Sequence, residues 1–309
     1  MSLSAHVAQM CALFFLVVIT VLWNICNLAV NVLHQWKSRG SHQPVSLIIS
    51  CISISNVFLE LSMSAILFLF WADLLFSVNC LPFLRTTAFI WLQSICVSFW
   101  SIAWLSTFYC VKIVSTSSAL LCKLKNNISF FITTALLLTV LFSFVACLPT
   151  LFFQLPSSNG TTNGTRNATN LGLVLPVWID GTLYLYVLMG FLCPVPVLVM
   201  LPTSLRLVAH LCHHTLRMKK NENQVQGTDS YLMVCRMTVS MVGVYLTMVV
   251  IFLIFLARWT PGKFPFELFA WNLSFFCLAM GILLTLLNKQ TKEKLMSVCC
   301  CCCCCWVNV

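Results

Sequence analysis

The carboxyl group of Glu60 is the one acidic group that lies well inside a long apolar stretch of this sequence. Placing a charge in a membrane interior costs about 2.5–3.5 kcal/mol on insertion scales, so such a group needs a partner or a water-filled cavity. Two interpretations of Glu60 stay open. It binds an amine or hydroxyl group of a ligand, or it is protonated and hydrogen-bonded to a neighbouring helix.

The histidines show no pattern that is typical of catalysis. None of the six pairs with an acidic residue at the spacing of metal ligands, and the sequence contains no nucleophile motif. His213 and His214 lie in a basic stretch, where we expect them to be solvated or to face lipid headgroups. We therefore predict that the protein is not an enzyme and needs no metal or cofactor.

Cysteine is the most concentrated reactive side chain of the sequence. Seven of the 19 cysteines are consecutive, and they follow Lys289, Lys292 and Lys294. On the cytosolic side such thiols stay reduced, and S-palmitoyl groups beside basic residues would attach the tail to the inner leaflet. A tail without a role and a metal-scavenging run are the alternatives. The candidates for acylation are Cys299, Cys300, Cys301, Cys302, Cys303, Cys304 and Cys305.

Three asparagines in one segment rich in Gly, Ser and Thr match the acceptor pattern for N-linked glycans. The triplets are Asn159-Gly-Thr161, Asn163-Gly-Thr165 and Asn167-Ala-Thr169. Three acceptors so close together predict that segment 154–180 is a glycosylated loop on the outer side of a membrane.

The elements that position these groups are long and apolar. Hydrophobic types make up 60% of the 309 residues and charged types 8%, with a mean hydropathy of +0.97. This composition excludes a soluble globular domain, which carries about a quarter charged residues. Each apolar stretch reaches the roughly 20 residues that a helix needs to cross a bilayer core. The seven stretches are 10–33, 44–72, 86–111, 130–153, 181–205, 237–257 and 268–287.

The basic residues predict the orientation of this seven-transmembrane helix bundle. If the N-terminus is outside, the cytosolic segments contain 13 of the 17 Lys and Arg residues, as the positive-inside rule requires. We therefore expect an all-α, multi-pass protein of the plasma membrane with a cytosolic C-terminus. It would comprise an extracellular N-terminus (1–9), a receptor domain (10–287) and a cytosolic tail (288–309).

Seven helices with this orientation suggest a G-protein-coupled receptor, which is an analogy from architecture. A seven-helix transporter is the alternative from another class. It would show repeated halves, broken helices or several intramembrane charges. The sequence has no such repeat, and Glu60 is the one Asp, Glu, Lys or Arg residue within the apolar stretches.

The end of the third apolar stretch has a specific pattern, Trp104-Leu-Ser-Thr-Phe-Tyr-Cys-Val-Lys-Ile113. It resembles the LSxFYxxKI pattern of the bitter taste receptors (type 2 taste receptors). Asn56 departs from that family, which has arginine at this position of the second helix. The chain is identified as a divergent member of the family, with the related vomeronasal type 1 pheromone receptors as the alternative. The matching residues are Ser106, Phe108, Tyr109, Lys112 and Ile113.

The resemblance implies a chemosensory receptor that binds small, mostly apolar, bitter-type ligands. Trp91 falls where the family has a pocket tryptophan, whereas Ile95 replaces the family's pocket asparagine. Pockets rich in Trp, Phe and Met suit varied apolar ligands. The candidate ligand-binding residues are Glu60, Trp91, Gln93, Ser94, Tyr184, Tyr245, Glu267 and Trp271.

The resemblance also implies a heterotrimeric G protein with a gustducin-like α subunit as partner. The cytosolic basic face would contact this subunit and anionic membrane lipids. No nucleic-acid partner is expected. The candidate coupling residues are Tyr109, Lys112, Lys123, Lys125, His214, Arg217 and Arg236.

Overall fold

A computed structural model shows the chain as a bundle of α-helices. It describes residues 3–37, 44–74, 77–114, 125–152, 181–192, 194–219, 228–257 and 266–287. Within these residues the regular structure is helical throughout. The predicted glycan acceptors, the cysteine run and Lys123 lie outside the described residues.

Each predicted apolar stretch lies largely within one helix or one pair of helical segments. The fifth stretch contains two helical segments, Gly181–Leu192 and Pro194–Lys219, and a 3₁₀ turn, Leu148–Phe152, extends the helix of the fourth stretch. The helices are α1 (Leu3–Lys37), α2 (Pro44–Trp71), α3 (Leu81–Ile113), α4 (Ile128–Cys147), α5a (Gly181–Leu192), α5b (Pro194–Lys219), α6 (Thr228–Ala257) and α7 (Phe266–Leu287).

The helices extend beyond the ends predicted from hydropathy. Helix α1 has 35 residues and is therefore about 52 Å long, whereas a bilayer core is about 30 Å thick. Most of the expected N-terminal segment 1–9 is thus helical, from Leu3 onward. Likewise Lys112 and Lys219 belong to helices and not to loops. Hydropathy marks the part of a helix in hydrocarbon, whereas backbone hydrogen bonding continues into the headgroup region.

Six of the described helices are long and apolar enough to cross a membrane by length and composition, and α6 contains a shorter apolar stretch, Arg236–Ile251. Large apolar side chains point away from the bundle, among them Phe14, Phe142 and Leu198. In water such a surface would aggregate, whereas hydrocarbon solvates it. The chain is therefore a multi-pass membrane protein.

Helix α3 lies at the centre of the bundle. It packs against α2, α4, α5b and α6, while α7 packs against α1, α2 and α6. The core between these helices contains Ile52, Leu59, Ile95, Phe99 and Ile102, none of them more than 1% exposed. Successive helices run antiparallel. We call the end where α2 stops and α3 and α7 begin the Trp71 end, and the opposite end the Lys112 end.

Helix α1 is held to its neighbours by amide side chains at three depths. Asn24 Nδ2 lies 3.4 Å from the Cys277 carbonyl oxygen, and Asn27 Nδ2 lies 2.8 Å from that of Gly281, both on α7. Asn31 donates to Ser50 of α2 at 2.8 Å. The spacings of three and four residues put all three amides on one face of the helix.

Candidate functional site

Aromatic rings and a carboxyl group of three helices meet at the Trp71 end. The Trp71 indole N–H of α2 donates to Glu267 Oε1 of α7 across 3.4 Å. The ring of Trp91, on α3, meets that of Phe269 edge to face with centroids 5.9 Å apart. Trp91 Nε1 is buried and has no hydrogen-bond partner among the described residues. Helix α7 thus presents one contact to α2 and one to α3 within three residues.

Glu60 lies deeper between the same helices. Ser274 Oγ, on α7, donates to Glu60 Oε2 at 2.9 Å, and only 1% of the residue is exposed. Glu60 Oε1 has no hydrogen-bond partner in the described part of the chain. Phe269 and Ser274 are five residues apart, so these two α7 contacts are separated by about 7.5 Å along the helix axis. The Cys277 thiol of α7 also lies within hydrogen-bond reach of this carboxyl group.

A hydrogen-bonded chain of two amides and a hydroxyl lies one helical turn from Glu60, toward the Lys112 end. Ser98 Oγ of α3 donates to Asn56 Oδ1 at 3.1 Å, and Asn56 Nδ2 lies 3.3 Å from Asn24 Oδ1. All three residues are buried. Asn56 stands where the resembling family has arginine, and the neutral amide is satisfied by α1 and α3 without a counter-ion. The hydroxyls of Ser53 and Ser101, also buried, have no partner within the described residues.

Aromatic packing closes the centre of the bundle at a similar depth. Tyr245 of α6 is fully buried, and its ring meets that of Phe99 edge to face at 4.6 Å. Phe99 also meets Phe276 of α7, with centroids 5.7 Å apart. These three rings join α3, α6 and α7, so Tyr245 packs in the core of the bundle.

Other candidates from the sequence point elsewhere. Gln93 Nε2 donates to Ser143 Oγ at 2.9 Å, so this side chain faces α4 and not the Trp91 side of α3. The Tyr184 hydroxyl donates to the Ala146 carbonyl oxygen, less than one turn further along α4. These two residues therefore hold α4 and α5a to the bundle.

The remaining candidates at this end are Ser94 and Trp271. Ser94 is buried in α3, whereas Trp271 is half-buried and its ring stacks on Phe275 of the same helix. The structure thus brings Glu60 and Trp91 to contacts with α7, and Glu267 of α7 to a contact with Trp71 of α2. Sequence reasoning did not single out Ser274, Ser98 or Asn24, although the Asn24, Asn27 and Asn31 spacing carried a helical signal.

At the Lys112 end, α3 is joined to α5b by hydroxyl groups. Ser106 Oγ lies 2.9 Å from Thr203 Oγ1 and 2.7 Å from Ser204 Oγ. Further along, Cys110 packs against Leu207 and Leu211. These contacts close the end of the bundle where the predicted coupling residues begin.

The described coupling candidates lie on this end of the bundle. Tyr109 is half-buried, and the exposed Lys112 holds its Nζ 5.4 Å from the centre of the Phe108 ring. Lys125 and Arg236 are exposed. His214 and Arg217 lie on α5b, but their side chains lie outside the described atoms. Tyr109 and Lys112 thus sit on the last turn of α3, beside the hydroxyl contacts to α5b.

Comparison with known proteins shows which family the sequence is similar to. The sequence model of the taste receptor protein (TAS2R) family matches residues 1–303. The chain is 32% identical over 177 residues to taste receptor type 2 member 40 of Gallus gallus, which covers 56% of this chain and 55% of that protein. It is 31% identical over 189 residues to member 119 of Rattus norvegicus, covering 54% of each chain.

These relatives are receptors and not enzymes, and the family agrees with the third-helix motif. The chain spans about half the length of the curated relatives it matches. The family model covers nearly the whole chain, and it selects the taste receptors over the vomeronasal alternative. The chain therefore belongs to the taste receptor protein family.

Proposed function

We propose that this chain is a chemosensory G-protein-coupled receptor for small, mostly apolar, bitter-type ligands. The observation that carries the proposal is a pair of buried polar atoms that have no hydrogen-bond partner among the described residues, Glu60 Oε1 and Trp91 Nε1, on neighbouring helices of a taste-family bundle. A buried polar atom without a partner costs about 1–3 kcal/mol. A ligand that offers one donor and one acceptor would recover this free energy.

The chemistry of the site selects the ligand class. The aromatic residues at this end include Trp71, Trp91 and Phe269, which favour flat or apolar groups. Glu60 accepts a hydrogen bond, so it suits a ligand hydroxyl or amine, as the sequence predicted for one of its two roles. Its bond to Ser274 supports the other role, a carboxyl that joins α2 to α7. Both roles are compatible if Oε2 accepts from Ser274 and Oε1 accepts from the ligand.

Signalling requires that ligand binding at the Trp71 end changes packing at the Lys112 end. Helix α7 contacts the ligand candidates, and α3 connects them to Ser106 and its α5b partners. We propose that the active packing separates Ser106 from Thr203 and Ser204 and opens a cavity for a heterotrimeric G protein. In this proposal the N-terminus is outside and the basic Lys112 end is cytosolic.

The experiment is ligand-evoked calcium release in cells that co-express a taste-type G protein α subunit. A panel of bitter compounds is applied to the wild type, to Trp91→Ala and to Trp36→Ala. Trp36 is the matched control because it is 81% exposed on α1. We expect Trp91→Ala to raise the half-maximal concentration about tenfold, equivalent to about 1.4 kcal/mol, and Trp36→Ala to leave it unchanged. Silence of the wild type across the panel, despite confirmed surface expression, would contradict the proposal.

We further propose that the tail is acylated on its cysteine run, Cys299 to Cys305. Metabolic labelling with a palmitate analogue tests this on the full chain. Replacement of the run by serine should remove most of the label, whereas Cys212→Ser, at an exposed cysteine on α5b, should leave it. Equal labelling of wild type and the serine variant would exclude acylation of the run.

A further inference from the structure

An apolar groove runs along the outer surface of the bundle between α3, α4 and α5a. Its volume is about 1000 Å³. The groove is separate from the proposed ligand site, because its α3 wall is the face that carries Trp100 and Trp104, whereas Ser98 faces the centre. Its lining is mostly aromatic and aliphatic: Cys96, Trp100, Trp104, Asn127, Phe130, Phe131, Thr134, Ala135, Leu138, Thr139, Leu141, Phe142, Val145 and Phe191.

The walls of the groove are held in place by contacts within the bundle. Trp104 Nε1 donates to Thr139 Oγ1 at 3.0 Å, and the Trp104 ring meets Phe131 edge to face at 6.0 Å. Phe191 of α5a lies between Trp100 and Phe142, at 6.2 and 5.7 Å. A groove with fixed walls does not collapse, so an empty groove would lose dispersion contacts along its whole lining.

The shape of the groove fits a hydrocarbon chain. Along α4 the lining extends from Asn127 to Val145, which is roughly 27 Å at 1.5 Å per residue. This is close to the thickness of a bilayer core. Leu138 in the lining is 59% exposed, so the groove is open toward the surrounding lipid and not toward the interior of the bundle.

One end of the groove has a polar lining residue, and an exposed lysine precedes that residue in the sequence. Asn127 lines that end and is exposed, and Lys125, two residues earlier, is exposed as well. No acidic residue lies among the groove's lining residues. The net charge of the chain is +10. A lysine near the membrane surface attracts anionic headgroups.

We propose that this groove binds an acyl chain of an anionic phospholipid, whose headgroup lies at Lys125 and Asn127. The tail would lie against the Trp104, Phe131 and Leu138 side chains. The charged headgroup would stay at the membrane surface, where Lys125 attracts it. This site is independent of the proposed receptor function, and it can be tested without a ligand response.

The test uses the purified full chain in phosphatidylcholine nanodiscs with a trace of photoactivatable lipid. One probe carries a phosphatidylserine headgroup and the other a phosphatidylcholine headgroup, with the same reactive group in the acyl chain. The phosphatidylserine probe should label α4 of the wild-type protein several times more strongly than the phosphatidylcholine probe does. Lys125→Gln should lower that labelling about fivefold, the effect of one surface charge, while Lys37→Gln, at the exposed end of α1, should not.

A second pair of variants tests the groove itself. Leu138→Trp fills the lining, whereas Leu137→Trp adds the same side chain next to it, at a position that is 60% exposed and outside the groove. Labelling should fall with Leu138→Trp and persist with Leu137→Trp. If Leu138→Trp cannot be purified, the two lysine variants decide.

Four results would overturn the proposal. They are equal labelling by the two probes, equal labelling of Leu137→Trp and Leu138→Trp, loss of labelling when a sterol is added at equal amount, and crosslinked dimers through α4. The third would identify a sterol as the occupant, and the fourth a second copy of the chain.

Discussion

Replacing Gly281 with alanine should weaken the contact between α1 and α7. A Cβ atom at this buried position would lie 3.0 Å from Trp23 Cδ1 and 3.2 Å from Asn24 Nδ2. Neither neighbour moves easily. Trp23 donates to Thr285 Oγ1 at 3.1 Å, and Asn24 donates to the Thr20 carbonyl oxygen at 2.9 Å. The methyl group therefore requires a shift of α1 or the loss of one of these hydrogen bonds.

The expected magnitude follows from two opposing terms. Glycine to alanine in a helix interior gains about 0.8–1.0 kcal/mol of helix propensity, whereas overpacking a close contact costs about 1–3 kcal/mol. Gly243 of α6 offers a matched control, because a Cβ atom there meets nothing within 4 Å. The propensity term is common to both variants. The difference between them, about 1–3 kcal/mol, therefore measures the close contact.

The assay is equilibrium unfolding of both variants and the wild type in the same detergent. Gly243→Ala should equal or exceed the wild type in free energy of unfolding, and Gly281→Ala should lie below Gly243→Ala by the stated difference. Equal free energies of unfolding for the two variants would refute the reasoning, since they would mean that α1 yields without cost at Trp23 and Asn24.

Three other outcomes are expected. Alanine at Glu60 and at Ser274 should be non-additive by about 1–3 kcal/mol in a double-mutant cycle of unfolding, because either change alone leaves a buried polar partner; additive losses would contradict the contact. Ser106→Ala should raise ligand-independent calcium signalling up to about tenfold, since it removes contacts worth about 0.5–1.5 kcal/mol each; unchanged basal signalling would separate this contact from activation. Glutamine at the three sequon asparagines should remove the gel shift caused by a glycosidase, and a glycosidase-insensitive wild type would exclude outer glycosylation. Those asparagines are Asn159, Asn163 and Asn167.

The helices could be predicted from sequence because charge is costly in hydrocarbon. The near absence of Asp, Glu, Lys and Arg marked all seven apolar stretches, and each of them corresponds to a helix or a helical pair in the structure. The ends could not be predicted in the same way. Nothing in hydropathy distinguishes a loop from a helix that continues through the headgroups, and so Lys37, Lys112 and Lys219 fall outside the predicted apolar stretches although they belong to helices.

The candidate site was predictable in part. Trp91 is predicted from the family resemblance and Gln93 from its depth in the third stretch, yet residues i and i+2 of a helix point about 200° apart. Trp91 accordingly meets Phe269 of α7, whereas Gln93 reaches Ser143 of α4. Depth in the membrane could be read from position along the stretch. Which neighbouring helix a side chain contacts depends on how the helix is rotated about its axis. The nearly uniform apolar composition of the helix gives no indication of this rotation.

The groove beside α4 could not be predicted at all. Its lining residues, such as Trp104, Phe131 and Leu138, are of the types that cover any lipid-facing helix. Their arrangement depends on the gap between α4 and α5a. That gap is a property of tertiary packing, and no sequence period encodes it.

Asn27 of α1 depends on a part of the chain that is synthesised much later. Asn27 donates to the Gly281 carbonyl oxygen and accepts from Thr285, and the first of these partners lies 254 residues further along the chain. At about 5–20 residues per second, roughly 10–50 s pass before that partner is made. Through this interval the first helix lies in the membrane with the Asn27 amide, whose side-chain hydrogen-bond partners among the described residues belong to the last helix. The packing of the first helix is thus completed only by the last one. In a chain truncated before α7, the Asn27 side chain would lack these two partners.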